Sequence, residues 1–277
     1  MVVESIISEY YARKNPVFIF ILGIIYSSLG ILFSLIVFPN NASVSSIFIT
    51  TIGCIPLFYN LLKSEEKLEI KLNDFYSGAY TSINVLGIFF FLFLGFTVGY
   101  SLWFSFLPEW ALNSVFNDQL LTLVSIGNIT GSVVNQSFFS AILVNNLKVL
   151  FFCFFFSFVY GTGAIFVLSW NASVLGAAVG SVIRAELESV AGSAQLVNLA
   201  VYFQHLPLSL GGYMLHGTFE IIAYFLAGLA GSLISFVLSS SDYRRTRNLF
   251  KVLKRSVLLV ALAILLIFFA AFIEAGF

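Results

Sequence analysis

The chain has 277 residues, 60% of them hydrophobic and 9% charged, with a mean hydropathy of +1.01 and no net charge. A soluble domain carries roughly 25% charged residues, so the composition excludes a soluble globular protein and defines an integral membrane one whose first partner is the lipid bilayer. The balance of 13 basic against 13 acidic residues supplies no overall field for nucleic acid, and no nucleic-acid partner is expected.

In chain order, Arg13 and Lys14 precede an apolar run that is longer than a signal-peptide core and has no small-residue cleavage site. It is expected to remain as a spanning helix. By the criterion of about 20 apolar residues per crossing, spans are expected near 17–38, 44–62, 83–107, 147–169, 172–191, 216–238 and 256–274. The second contains Pro56, which a membrane helix absorbs as a kink, and the fifth runs into Arg184, Glu186 and Glu188. Cys54 and Cys153 both fall in apolar runs and read as small buried hydrophobes. The expected fold is an all-α, polytopic membrane bundle of about seven hydrophobic segments, with one broken or re-entrant region. Residues 1–82 form an N-terminal transmembrane hairpin and cytoplasmic link, and 83–277 the main membrane domain.

Charge placement sets the expected orientation. With the N-terminus in the cytoplasm, every one of the 13 lysines and arginines except Lys148 and Arg184 falls in a cytoplasmic segment. The C-terminus is then extracytoplasmic. The link from Lys63 to Asp74 mixes charge signs and reads as a short solvated helix. The segment from Pro108 to Asn146, rich in Asn, Ser, Thr and Gly, becomes the main extracytoplasmic surface.

Between Asn171 and His216 the spanning pattern fails. Gly176 and Gly180 have the small-xxx-small spacing that admits a neighbouring helix. Beyond Arg184, Glu186 and Glu188, the stretch to Gly212 mixes apolar residues with Gln204, His205 and Pro207. Irregular backbone survives at membrane depth only when buried in protein or lining water, so 185–212 predicts a polar cavity on the outer side.

His216 and Glu220 then stand one helical turn apart in an almost uncharged stretch. Three readings are open: a hydrogen-bonded pair that orients its helix, a substrate, proton or ion site, and a fragment of a metal site. The metal reading needs a third ligand from His205, Glu186 or Glu188 without any HExxH spacing. No catalytic, cofactor or metal residues are therefore assigned, and no cofactor is expected. Nucleophilic catalysis has no Gly-x-Ser-x-Gly to support it.

The ordered series Asn145-Asn146, Tyr160-Gly161-Thr-Gly163, Asn171 and His216-Gly217-Thr-Phe-Glu220 resembles the stage II sporulation protein M family of multi-pass membrane proteins over residues 143–277. Leu215 stands where that family has Pro, and Ala172 where it has Gly. The resemblance implies an assembly role, a membrane scaffold with membrane-protein partners or further copies of itself. It carries over Asn145, Asn146, Asn171, His216 and Glu220 as polar positions without assigned roles. A transporter or channel for a small solute or ion is the alternative, and an intramembrane hydrolase the third reading. Gly161, Gly163, Gly176, Gly180 and Gly217 are expected to serve helix packing.

Overall fold

A computed structural model of the chain describes residues 15–71, 75–130, 136–160, 163–189, 195–239 and 245–275. These residues form eight α-helices: α1 Pro16–Val37, α2 Ala42–Lys71, α3 Phe75–Phe106, α4 Glu109–Thr130, α5 Gln136–Tyr160, α6 Ala164–Ser189, α7 Gln195–Ser239 and α8 Arg245–Glu274. A single 3-10 turn, Pro39–Asn41, joins α1 to α2. Seven helices contain a segment long and apolar enough to cross a bilayer, as the composition requires. The protein is a multi-pass, all-helical membrane protein.

Local signals place the ends. Pro16 opens α1, where its missing N–H would have had no helical partner. At the other end the Phe38 N–H closes on the Ser34 carbonyl just before Pro39. Pro56 and Pro207 lie inside α2 and α7 without ending them.

Side-chain pairings fix the direction of each helix. Along α3, Tyr100 meets Gly176 and Phe104 meets Gly180, and Arg184 reaches the Leu107 carbonyl, so α3 and α6 are parallel. The same reasoning makes α1 parallel to α3 through Gly23 with Gly95 and Ser28 with Trp103. α2 is antiparallel to α3, with Thr50 beside Tyr100 and Phe58 against Phe89. α5 and α7 run together from Asn146–Glu220 to Ser157–Gly228, and α8 runs back along α7 from Ser256–Ala230 to Phe269–Phe219. The seven spans therefore alternate, and Pro16 and Glu274 lie at opposite ends of the bundle. The end holding the α1–α2 turn is called the Pro39 end below.

α7 is the central helix, with 78% of its span buried, against 28% for the spans of α5 and α8. Glycines let its neighbours approach: a methyl group at Gly228 would sit 2.7 Å from Ala164 Cβ, and one at Gly231 would sit 2.9 Å from the Phe158 nitrogen. Its partner aromatics, Phe89 and Phe93, meet Phe225 edge-on.

Three boundaries differ from the sequence expectation. The fourth and fifth spans are Phe139–Val159 and Ala164–Ser189, so the chain turns near Gly163 rather than before Asn171. A Cβ at Gly163 would collide with the Phe156 carbonyl, which makes this the tight connection. The expected break over 185–212 is much narrower, because α6 continues to Ser189 and α7 is helical from Gln195 through Pro207. The segment after Pro108 opens with a helix, Glu109–Thr130, that was not expected there. Ala111, Leu112, Val115, Phe116 and Gln119 share one buried face of α4, which packs at the Pro39 end against α2 and α6.

Candidate functional site

α7 has 45 residues and contains Pro207, more than twice the roughly 20 residues that one crossing needs. Its span covers Gly217–Leu238. The half that precedes the span is held to the bundle by Tyr202, whose hydroxyl pairs with Ser101 Oγ at 2.8 Å and donates to the Val98 carbonyl at 3.2 Å.

Glu220 accepts a hydrogen bond from the Asn146 amide nitrogen of α5. Tyr224, one turn further along α7, donates its hydroxyl to the amide oxygen of the same Asn146 at 2.9 Å. One asparagine thus spends a donor and its acceptor on two residues of a single α7 face. Asn146 and Tyr224 are 6% and 3% exposed, so each bond replaces one that water cannot supply. Glu274, in the last turn of α8, lies close enough to act electrostatically on both Glu220 and Tyr224. The result is a polar junction of α5, α7 and α8 near the Pro39 end.

The residues expected to form the site separate into groups. Asn146 and Glu220 are joined directly. The backbone of His216 lies in α7, one turn before Glu220, and its side chain lies outside the described residues, as does Gly161 altogether. Asn145 is exposed, turned about 100° around α5 from the buried Asn146. Asn171 does not open a helix: it sits inside α6 and donates to the Val167 carbonyl at 2.7 Å. Arg184 closes the end of α3, donating to the carbonyls of Leu107 at 2.8 Å and Phe104 at 3.3 Å, with Glu188 at 3.6 Å. The Phe104 carbonyl belongs to the last turn of α3 and the Leu107 carbonyl lies just beyond it, where a helix end leaves such groups without an intrahelical donor. Glu186 and Glu188 are exposed and His205 is half-buried. Among the described residues no contact joins any of these four to Glu220, and no group of three or more His, Cys, Asp or Glu is disposed to hold a metal.

Of the glycines, Gly176 and Gly180 pack as their spacing implies: an added Cβ would lie 2.6 Å from Tyr100 Cβ and 2.6 Å from Phe104 Cβ, respectively. Gly217 has nothing within 4 Å of that position and does not share the role.

Two buried polar residues escaped the sequence reading. Tyr224 was signalled by its i, i+4 spacing from Glu220. Gln119, fully buried on α4, accepts from Ser43 at 2.8 Å and donates to Ser173 at 3.2 Å, tying α2, α4 and α6 together. Its signal was the apolar periodicity of residues 111–116, hidden by the polar composition around it.

These features define a class: a polytopic helical membrane protein whose buried polar side chains cross-link its helices. A family model described as stage II sporulation protein M matches residues 87–277. The chain belongs to that family, and the match takes in α5, α7 and α8 with the whole polar junction, leaving α1 and α2 outside it. No match to the chain was found among curated proteins or among solved structures.

Proposed function

We propose that the chain is a membrane scaffold or accessory subunit, which holds other membrane proteins and whose own helices are registered by the Asn146–Glu220–Tyr224 junction. The observation that carries this reading is the mutual satisfaction of that junction: its hydrogen bonds run from helix to helix. Polar bonds of this kind set helix pairing inside a bilayer, where apolar surfaces alone do not discriminate between partners. His216, four residues before Glu220, is assigned to the same site on its sequence spacing alone.

The N-terminus is assigned to the cytoplasm from the sequence alone, because that orientation makes every lysine and arginine except Lys148 and Arg184 cytoplasmic. The Pro39 end, with α4, the first half of α7 and the polar junction, then faces outward.

The test is kinetic and structural at once. His216→Ala and Glu220→Ala are expected to lower partner recovery from the native membrane to similar extents, with the double variant no worse than either. Solute or ion flux through vesicles containing only the purified chain, abolished by Glu220→Ala, would instead establish a transporter.

A further inference from the structure

Lys148 is left without a role by everything above. It lies in the span Phe139–Val159, nine residues beyond Phe139, which is about 13 Å into the apolar segment at 1.5 Å per residue. Asn146, two positions earlier, is level with Glu220, the fourth residue of the α7 span, so the neighbouring helix places Lys148 less deeply, about 7 to 8 Å inside the apolar layer at 1.5 Å per residue. Its side chain is exposed, and among the described residues it has no ion-pair partner.

The surroundings of Lys148 form a continuous face. Val144, Asn145, Lys148, Phe151, Phe152 and Phe155 are all exposed and share one side of α5, opposite the buried Asn146, Leu150, Cys153 and Ser157. The rings of Phe151 and Phe155 stack, with centroids 5.9 Å apart and planes inclined by 16°, and continue the face deeper into the membrane. An ammonium set against hydrocarbon is costly, and such residues generally face protein or water and are paired. A long lysine side chain relieves the cost near a helix end by reaching the headgroups. A carboxylate on the helix of a partner would relieve the rest by direct pairing, with the Asn145 amide beside it.

We propose that this face of α5 docks a transmembrane helix of another protein, one that presents a carboxylate in the outward half of the bilayer against Lys148 and apolar side chains against the phenylalanine ladder. Among the described residues a second copy of this chain is a poorer match: Glu220 is turned inward to Asn146, Glu274 lies beside that same junction, and the exposed Glu109, Glu186 and Glu188 stand at the Pro39 end. The proposal rests on the scaffold reading and names the chemistry of its partner.

The experiment uses the full chain, reconstituted in phosphatidylcholine vesicles with fluorescent Leu/Ala transmembrane peptides of about 20 residues. One peptide carries a single Glu at the depth of Lys148, a second carries Gln there, and a third Leu. Energy transfer is expected to report about tenfold tighter association of the Glu peptide than of the Leu peptide, in line with the strength of interhelical polar bonds. Lys148→Met should remove the difference while leaving the thermal unfolding of the chain unchanged, and Lys148→Arg should retain it. Equal association of all three peptides would overturn the proposal. So would a preference for the Glu peptide that survives in Lys148→Met. Replacing part of the phosphatidylcholine with phosphatidylglycerol provides the lipid arm: a Lys148-dependent enrichment of the anionic lipid around the chain, with no preference among peptides, would mean that the side chain reaches a headgroup phosphate and would also overturn it. The scaffold reading fails separately, if the chain in its native membrane is recovered without partners while the peptide result holds.

Discussion

Asn146 and Glu220 meet across the α5–α7 interface, and the same asparagine is held from its other side by Tyr224. Register between the two helices is therefore specified by an amide that fits only when donor and acceptor both find their partners. Below this point Gly228 and Gly231 bring the helices close around Ser157, so the polar junction and the close approach act on one interface.

Asn146→Leu removes the donor to Glu220 and leaves Tyr224 without its acceptor. The expected loss is about 1–3 kcal/mol, the cost of a buried polar group stripped of its partner. Glu220→Met in the same background should cost little more, because the two residues share one interaction. Reversible unfolding in mixed micelles, with both single variants and the double, measures this coupling.

Gly180→Leu forces a side chain into the space held by Phe104, and a destabilisation of about 1–3 kcal/mol is expected from overpacking. Gly217→Ala meets open space and should be neutral or stabilising by up to about 1 kcal/mol through helix propensity alone. The same unfolding measurement separates the two; a large loss at Gly217 would contradict its assignment as an unpacked position.

Gln119→Leu deletes the bridge between Ser43 and Ser173 and is expected to cost about 1–2 kcal/mol. Its consequence should be local. Hydrogen exchange should rise in α4 and in the first turns of α2, with the α5–α7 interface unaffected.

Orientation predicts labelling. A cysteine placed at Asn113, exposed on α4, should react with a membrane-impermeant maleimide added to intact cells, and Cys54 and Cys153, both buried, should stay silent. Reaction at position 113 only after the membrane is opened would invert the assigned topology.

Much of the fold was legible because a bilayer imposes a length on apolar segments, and seven such segments stand out against the few charges. The glycines at 176 and 180 were legible for a similar reason, since a four-residue spacing maps onto one helix face. Boundaries inside the α5–α6 region were not. Asn145, Asn146 and Lys148 lower the hydropathy of a true span, and the one that is buried, Asn146, is met by Glu220 and Tyr224 across an interface that no local pattern reveals. Asn171 misled for the converse reason: its amide is satisfied by the carbonyl of Val167, one turn back in the same helix, so a polar residue that resembled a helix start lies in a helix interior. α4 was missed because its buried face is short and ends in a glutamine, whose burial makes sense only once Ser43 and Ser173 are brought around it.

The central claim is that the chain assembles other membrane proteins through a bundle registered at Asn146, Glu220 and Tyr224. Quantitative affinity purification from the native membrane tests it most directly, comparing the intact chain with Asn146→Leu at equal expression. The account predicts one or a few membrane proteins recovered in near-stoichiometric amounts with the intact chain and depleted several-fold with the variant. A chain that purifies alone, or partners retained equally by Asn146→Leu, would contradict it.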